Sequence, residues 1–264
     1  MAMITRYRFR DTEEELAGQV FIEPGRETIG FVIFCQGMPY IPYMEAIIPN
    51  IISNGLAAIQ IQYSGTYDSG GAFTPLAAVD SVVRLSTMLK KGRKLLDAKH
   101  LIPINFSRKL CVVAGHSFGS WVAYQSCIRS RCINYGVMFA PYFGFTENHG
   151  VIGANSLITH LDYVRRAVPL THRFGENQKW DILYSGKEDD CCENVYCPVL
   201  PLLGDLDDGL SASKINNWIK FRGDQGIQPL QIFSGTGHGL EGFASDDHIA
   251  DIWKKVLSHG EEKK

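Results

Sequence analysis

The sequence predicts an α/β protein: a doubly wound, mostly parallel sheet of about eight strands, with helices on both faces and a small cap inserted between two strands. Three observations carry this expectation. Short, nearly continuous apolar runs recur at residues 30–35 (GFVIFC), 56–61 (LAAIQI) and 110–114 (LCVVA). A strand that is apolar at every position must be covered on both faces, as the strands of a parallel sheet are. Between these runs lie segments whose apolar residues recur three and four apart, the spacing of one helix face. Finally, 45% hydrophobic and 20% charged residues are the composition of a chain that can bury a core, not of a disordered one. At 264 residues the chain fits a single α/β domain, residues 1–264.

Taken in order, residues 3–10 (MITRYRFR) and 16–22 (LAGQVFI) mix apolar and polar positions, and Glu23-Pro24-Gly25 supplies a turn after them. They read as an antiparallel pair that opens the sheet. Strand 30–35 is followed by helical spacing over 41–54, and strand 56–61 by helical spacing over 76–96. Strand 110–114 leads into a helix at 118–129. Further strands are expected at 135–139, 199–203 and 230–233, with a last helix over 244–258. Strand and helix thus alternate after the opening pair, which predicts a parallel sheet joined by right-handed crossovers. Residues 141–197 break the rhythm, with scattered Gly, Asn and Asp and one moderately helical piece at 157–168. An insertion of this length is seldom structureless, and its position between two strands makes it a cap or lid over the edge where a site would lie.

Charge and cysteine usage exclude several classes. A net charge of −2 offers no field to draw nucleic acid, and the cluster Lys90, Lys91, Arg93 and Lys94 reads as a solvated helix end. The opening MAMITRYRFRDTEEE lacks the apolar stretch of a secretory signal, and no later run of about 18 uncharged apolar residues suggests a membrane span. Seven cysteines, an odd number placed partly in core-like runs, do not form a secreted disulfide framework, so a cytoplasmic protein is expected. Cys191, Cys192 and Cys197 cluster without a CxxC or a matching His pair, so neither a metal nor a cofactor is expected.

The chemistry centres on Gly115-His116-Ser117-Phe118-Gly119, which follows an apolar strand and precedes the helical SWVAYQSCI. A serine on a sharp strand-to-helix turn crowds its neighbours, and small residues two positions before and after leave room for the strained backbone. A serine hydroxyl attacks only when a base takes its proton, and that base must be oriented and stabilised once charged. Farther along, apolar PVLPLLG leads into Asp205, Leu206, Asp207 and Asp208, and LQIFSGTG leads into His238, whose flanking Gly237 and Gly239 let a loop approach closely.

GHSFGS, GDLDD and GTGHG together resemble the α/β-hydrolase superfamily, its serine esterase and peptidase branch, in motifs and element order over nearly the whole chain. The resemblance implies Ser117 as nucleophile, His238 as base and an acid after the strand that follows the insertion. The spacing of glycine, two residues and acid selects Asp207, with Asp205 and Asp208 as alternatives. It also implies an oxyanion hole from the N–H groups of Phe118 and Met38, because Gln36-Gly37-Met38 resembles the family's His-Gly-x turn with Gln36 replacing the histidine. The order Ser, Asp, His is the one this fold uses. Residues 63–71 (YSGTYDSGG) resemble the family's Arg-Gly-x-Gly-x-Ser loop without its arginine, and read as a glycine-rich turn with no catalytic part. His116 is expected to pack or hydrogen-bond, Cys35 to be a buried strand residue, and His100, His149, His160, His172 and His248 to lie on helix or loop surfaces.

The expected activity is carboxylic ester hydrolysis through an acyl-enzyme. Tyr40, Tyr43, Phe118, Phe139, Tyr142, Phe143 and Phe145, with Trp180 and Tyr184 of the insertion, suit the apolar part of a small-molecule ester, although core packing explains some of them equally well and none is assigned to a subsite. The same machinery cleaves amides, so a serine aminopeptidase or acyl-peptide hydrolase is the alternative for a short acylated or peptide substrate. Glu176, Glu188, Asp189, Asp190 and Glu193 would then be candidates to hold a free amino terminus. A non-catalytic ligand-binding member of the same fold is the third reading.

Overall fold

The computed structural model describes residues 3–37, 43–142, 173, 195–223, 226–245 and 248–261. The strands are β1 (Thr5–Asp11), β2 (Leu16–Ile22), β3 (Gly30–Cys35), β4 (Leu56–Gln62), β5 (Leu110–His116), β6 (Tyr135–Phe139), β7 (Val199–Gly204) and β8 (Gln231–Phe233). They form one eight-stranded sheet in the order β1-β2-β4-β3-β5-β6-β7-β8. β1 pairs antiparallel with β2, and β2 antiparallel with β4. From β4 to β8 every pairing is parallel. All the strands expected from the sequence are present, their ends displaced by two residues at most.

Alternation along the central strands explains why they are apolar throughout. Phe31, Ile33 and Cys35 of β3 and Cys111 and Val113 of β5 belong to one core layer, whereas Val32, Phe34, Leu110, Val112 and Ala114 belong to the other. The first layer is closed by α2 (Pro75–Lys90), α3 (Phe118–Arg129) and α4 (Ala212–Arg222). The second is closed by α1 (Ile48–Ser53), α5 (Leu240–Ser245) and α6 (His248–Glu261). A strand position facing either layer is therefore removed from water, and each such side chain adds about 1.5–3 kcal/mol of burial.

Helix boundaries differ from the sequence expectation for identifiable reasons. The helical spacing over 41–54 resolves into a 3₁₀ turn at Tyr43–Ala46 and the short α1, whose first turn contains a proline. Pro49 has no N–H to bond to the preceding turn, so the helix starts afresh around it. The helix expected over 76–96 starts at Pro75, where Thr74 accepts a hydrogen bond from the Ala77 N–H at 3.1 Å. It stops at Lys90, just before Gly92 with φ 89°. Its apolar spacing runs on past Lys90 because Leu95, beyond the helix, also enters the core. Residues 244–258 are divided between α5 and α6. The helix α4 was not expected, although Ile215 and Trp218 are its buried face.

Chain direction locates a crevice. From β3 the chain passes to β4 by way of α1 on one face, and from β5 it passes the other way to β6 by way of α3 on the opposite face. Opposite directions on opposite faces give both crossovers the same hand. Because the two connections diverge, a gap opens at the carboxyl ends of β3 and β5, where such sheets carry their ligands. The expected cap, residues 141–197 with its helical piece at 157–168, lies outside the described residues except for 141, 142, 173 and 195–197. Among the described residues no helix is long and apolar enough to cross a membrane.

Candidate active site

β5 delivers Ser117 into this gap. Ser117 has φ 53° and ψ −121°, a conformation that costs an L-residue energy and holds only where its surroundings impose it. Its N–H donates to the Phe139 carbonyl of β6 at 3.0 Å. Its own carbonyl accepts from the N–H of Ser120 at 2.8 Å and from the Ser120 hydroxyl at 2.5 Å. The flanking glycines are needed because backbone meets backbone. A Cβ on Gly115 would collide with the carbonyl oxygen of Gly119, and one on Gly119 would collide with that of Cys35 at the end of β3. The turn is thereby pressed against the β3 end, and a Cβ on Gly37 would lie 3.5 Å from that of Ser117. Phe118 opens α3, so its N–H is among the first-turn donors that have no partner within the helix.

The second half of the site comes from β7 and β8. After β7, the N–H of Asp205 donates to the Phe233 carbonyl and that of Leu206 to the Thr236 carbonyl, both at 2.9 Å. Gly204 allows this closeness, since a Cβ there would collide with the Thr236 carbonyl oxygen. The two turns so joined bring Asp207 to His238, with Oδ2 2.8 Å from Nδ1. The Asp207 side chain is wholly buried, and that of His238 is 39% exposed. Oδ1 of Asp207 accepts the N–H groups of Gly209 at 2.9 Å and Leu210 at 3.0 Å, so both carboxylate oxygens are held. An ionised carboxylate only accepts, which places the proton of neutral His238 on Nδ1 and leaves Nε2 its lone pair. Asp205 instead accepts from the Ser234 hydroxyl at 3.1 Å, and Asp208 is exposed.

His116, next to Ser117, points its ring at the same loop. Its Nε2 lies 2.6 Å from the main-chain carbonyl oxygen of His238, and the two rings are 5.1 Å apart. The ring keeps a margin of solvent contact, yet burial pushes its pKa from 6.5 down to about 4, against the opposing pull of the His238 carbonyl and of the Asp207 and Glu241 carboxylates. The positive form of His238 acts in the same direction as burial. Between pH 6.5 and 4 the unfolded chain therefore binds a proton that the folded chain refuses. Folding stability is expected to be highest above pH 6.5 and to fall as the pH drops through this window, by about 3 kcal/mol in all from this group. Urea unfolding at pH 7.5 and pH 4.5 should show a smaller fall for His116→Gln, and an equal fall would remove His116 as its source.

Several other residues have clear places. His100 lies at the surface, bonded through Nδ1 to Asp97 at 2.7 Å. Cys35 is fully buried, and burial pushes its thiol well above the ordinary range, so it is a core residue. Of the two readings open for Phe139, pocket wall or core, it is core, packed at 5.3 Å on Phe243 of α5, because β6 turns it toward the second layer. Tyr142 is likewise buried, its N–H donating to the Ser120 hydroxyl at 2.6 Å. Met38, Tyr40, Phe143, Phe145, Trp180, Tyr184 and the acidic residues of the insertion lie outside the described residues, as does the side chain of Tyr43. No group of His, Cys, Asp and Glu that could hold a metal ion occurs among the described residues.

The loop after β4 does more than the sequence suggested. Tyr63 and Phe73 stack at 6.2 Å and both meet Phe118 edge-on, at 6.4 and 6.3 Å. The Tyr63 hydroxyl donates to the Gln36 carbonyl at 2.9 Å, tying this loop to the β3 turn. Arg173 docks onto the same loop. Its N–H donates to the Gly65 carbonyl at 2.7 Å and its carbonyl accepts the Phe73 N–H at 2.6 Å. Its guanidinium donates to the carbonyls of Ser69 and Gly71. Nothing in the sequence pairs Arg173 with residues about a hundred positions away, since main-chain carbonyls are acceptors whatever their side chains.

Comparison with known proteins rests on shape. No family model matches the chain, and no curated protein matches it by sequence. Among solved structures, an esterase from Pyrobaculum calidifontis is similar with a TM-score of 0.65 at 15% identity, over 98% of this chain and 85% of that one. An epoxide hydrolase from Vigna radiata is similar with a TM-score of 0.64 at 14% identity, over 98% and 99%. An alpha-beta serine hydrolase homologue from Coxiella burnetii is similar with a TM-score of 0.61 at 12% identity, over 96% and 97%.

Proposed function

We propose that this chain, which has the α/β-hydrolase fold, is a serine hydrolase that cleaves carboxylic esters through an acyl-enzyme. The observation that carries the reading is the 2.8 Å contact between the buried carboxylate of Asp207 and Nδ1 of His238, at the sheet edge that also bears the Ser117 turn. It leaves Nε2 of His238 as the free base of the site.

In the proposed reaction the Ser117 oxygen attacks the ester carbonyl carbon while His238 Nε2 takes its proton. Asp207 stays ionised and stabilises the imidazolium. The carbonyl oxygen, now negative, is met by the N–H of Phe118 and, by expectation, that of Met38. Collapse breaks the bond to the alcohol oxygen, which receives the proton from His238. Water then attacks the acyl group with His238 again as base, and Ser117 leaves with its proton restored. The acid is released.

Turnover of p-nitrophenyl esters of increasing acyl length, set beside aminoacyl anilides, tests the substrate class. The ester reading expects kcat/KM on the best ester to exceed that on every anilide. The reverse order would make the chain an amidase of the same machinery. Absence of turnover, with no labelling of Ser117 by a fluorophosphonate, would make it a ligand-binding member of the fold.

A further inference from the structure

We propose that His116 is a positioning residue, whose Nε2–H holds the main chain of His238 and so sets the distance between base and nucleophile. The inference rests on the assignment of Ser117 and His238 above and goes beyond it, because it gives a role to a residue that the proposed reaction does not use.

The geometry makes the case. Asp207 grips the imidazole of His238 through Nδ1, but a ring held at one atom by a partner on another loop still follows its own backbone. That backbone is flanked by Gly237 and Gly239, which leave the main chain freer than any other residues would. The contact at 2.6 Å between His116 Nε2 and the His238 carbonyl pins this loop. Since a carbonyl oxygen only accepts, Nε2 of His116 must carry the proton. His116 is the last residue of β5 and Ser117 the next, so the anchor fixes the base to the very strand that carries the nucleophile. It spans 122 residues of sequence in one bond. A neutral ring serves this better than a charged one, because an imidazolium 5.1 Å away would oppose the positive charge that His238 gains during the reaction.

Two substitutions separate anchoring from mere packing. His116→Phe retains the ring volume without a donor, while His116→Gln offers an amide N–H that can reach the same carbonyl. On p-nitrophenyl butyrate, His116→Phe is expected to lose about ten- to a hundredfold in kcat with KM changed by less than about twofold, the signature of misplaced groups. His116→Gln should regain most of that loss, and fluorophosphonate labelling of Ser117 should slow and recover in parallel. A kcat for His116→Phe within about threefold of the parent, equal kcat for both variants, or a loss seated in KM would overturn the proposal. A tautomer measurement works even if the parent chain proves inert, an outcome that would count against the esterase reading instead. Two-bond nitrogen–proton NMR at pH 7 should find the His116 proton on Nε2, and a proton on Nδ1 would refute the anchor.

Discussion

Replacing Ser117 with alanine is expected to lower kcat/KM on p-nitrophenyl esters on the order of 10⁵-fold or more, with the fold intact. The size of the loss follows from the role, since without the attacking oxygen neither base nor oxyanion donors have a covalent step to assist. Retention of the fold follows from how the turn is held. Its restraints are the main-chain bonds of Ser117 to Phe139 and Ser120 and the contacts of Gly115 and Gly119, none of which involves the Ser117 hydroxyl. Alanine meets the same strain at φ 53° as serine does. Thermal unfolding should therefore stay close to that of the parent while fluorophosphonate labelling disappears. Turnover within about a hundredfold of the parent would remove Ser117 as the nucleophile.

Asp207→Asn is expected to reduce kcat about 10⁴-fold, whereas Asp205→Asn and Asp208→Asn should change it only a few-fold. The amide can keep its oxygen on the N–H groups of Gly209 and Leu210, which preserves the turn. Its NH₂ then faces Nδ1 of His238, a donor where an acceptor stood. The imidazole must move its proton to Nε2 and can no longer take one from Ser117. Asp205 bonds the Ser234 hydroxyl and Asp208 is exposed, so neither loss reaches the ring. Equal, mild losses in all three variants would show that the acid lies elsewhere.

These two expectations differ in how far the sequence alone supports them. The strand-turn-helix around Ser117 is readable because it is local, with an apolar run, a glycine on either side at two residues' distance, and a helix start. The central strands are readable for a similar reason, since burial on both faces leaves them few polar positions, the buried Gln60 of β4 being an exception. The choice among Asp205, Asp207 and Asp208 is not local. It depends on which carboxylate the pairing of the post-β7 and post-β8 turns buries against His238, and spacing only ranks the candidates. The direction of the His116 ring and the docking of Arg173 were beyond reach, because each bonds a main-chain carbonyl, which leaves no mark on residue type. The unexpected α4 shows a further limit. Its buried face is sparse, with Asn216 and Asn217 between Ile215 and Trp218 and polar residues on either side, so its amphipathic pattern is weak.

The strand order also governs when the site comes into being during folding. Loop closure costs more as the closed segment lengthens, and chains rich in distant contacts reach their native state slowly. The Ser117 turn is built from neighbours within a few residues, apart from its seat on β3 and β6. Asp207 and His238 are bonded to each other across 31 residues, and His238 reaches the Ser117 turn through its bond to His116, across 122 residues. Because that last bond closes the longest of these segments, a refolding chain is expected to recover secondary structure, followed by far-ultraviolet circular dichroism, before it recovers labelling of Ser117, and simultaneous recovery would refute this order.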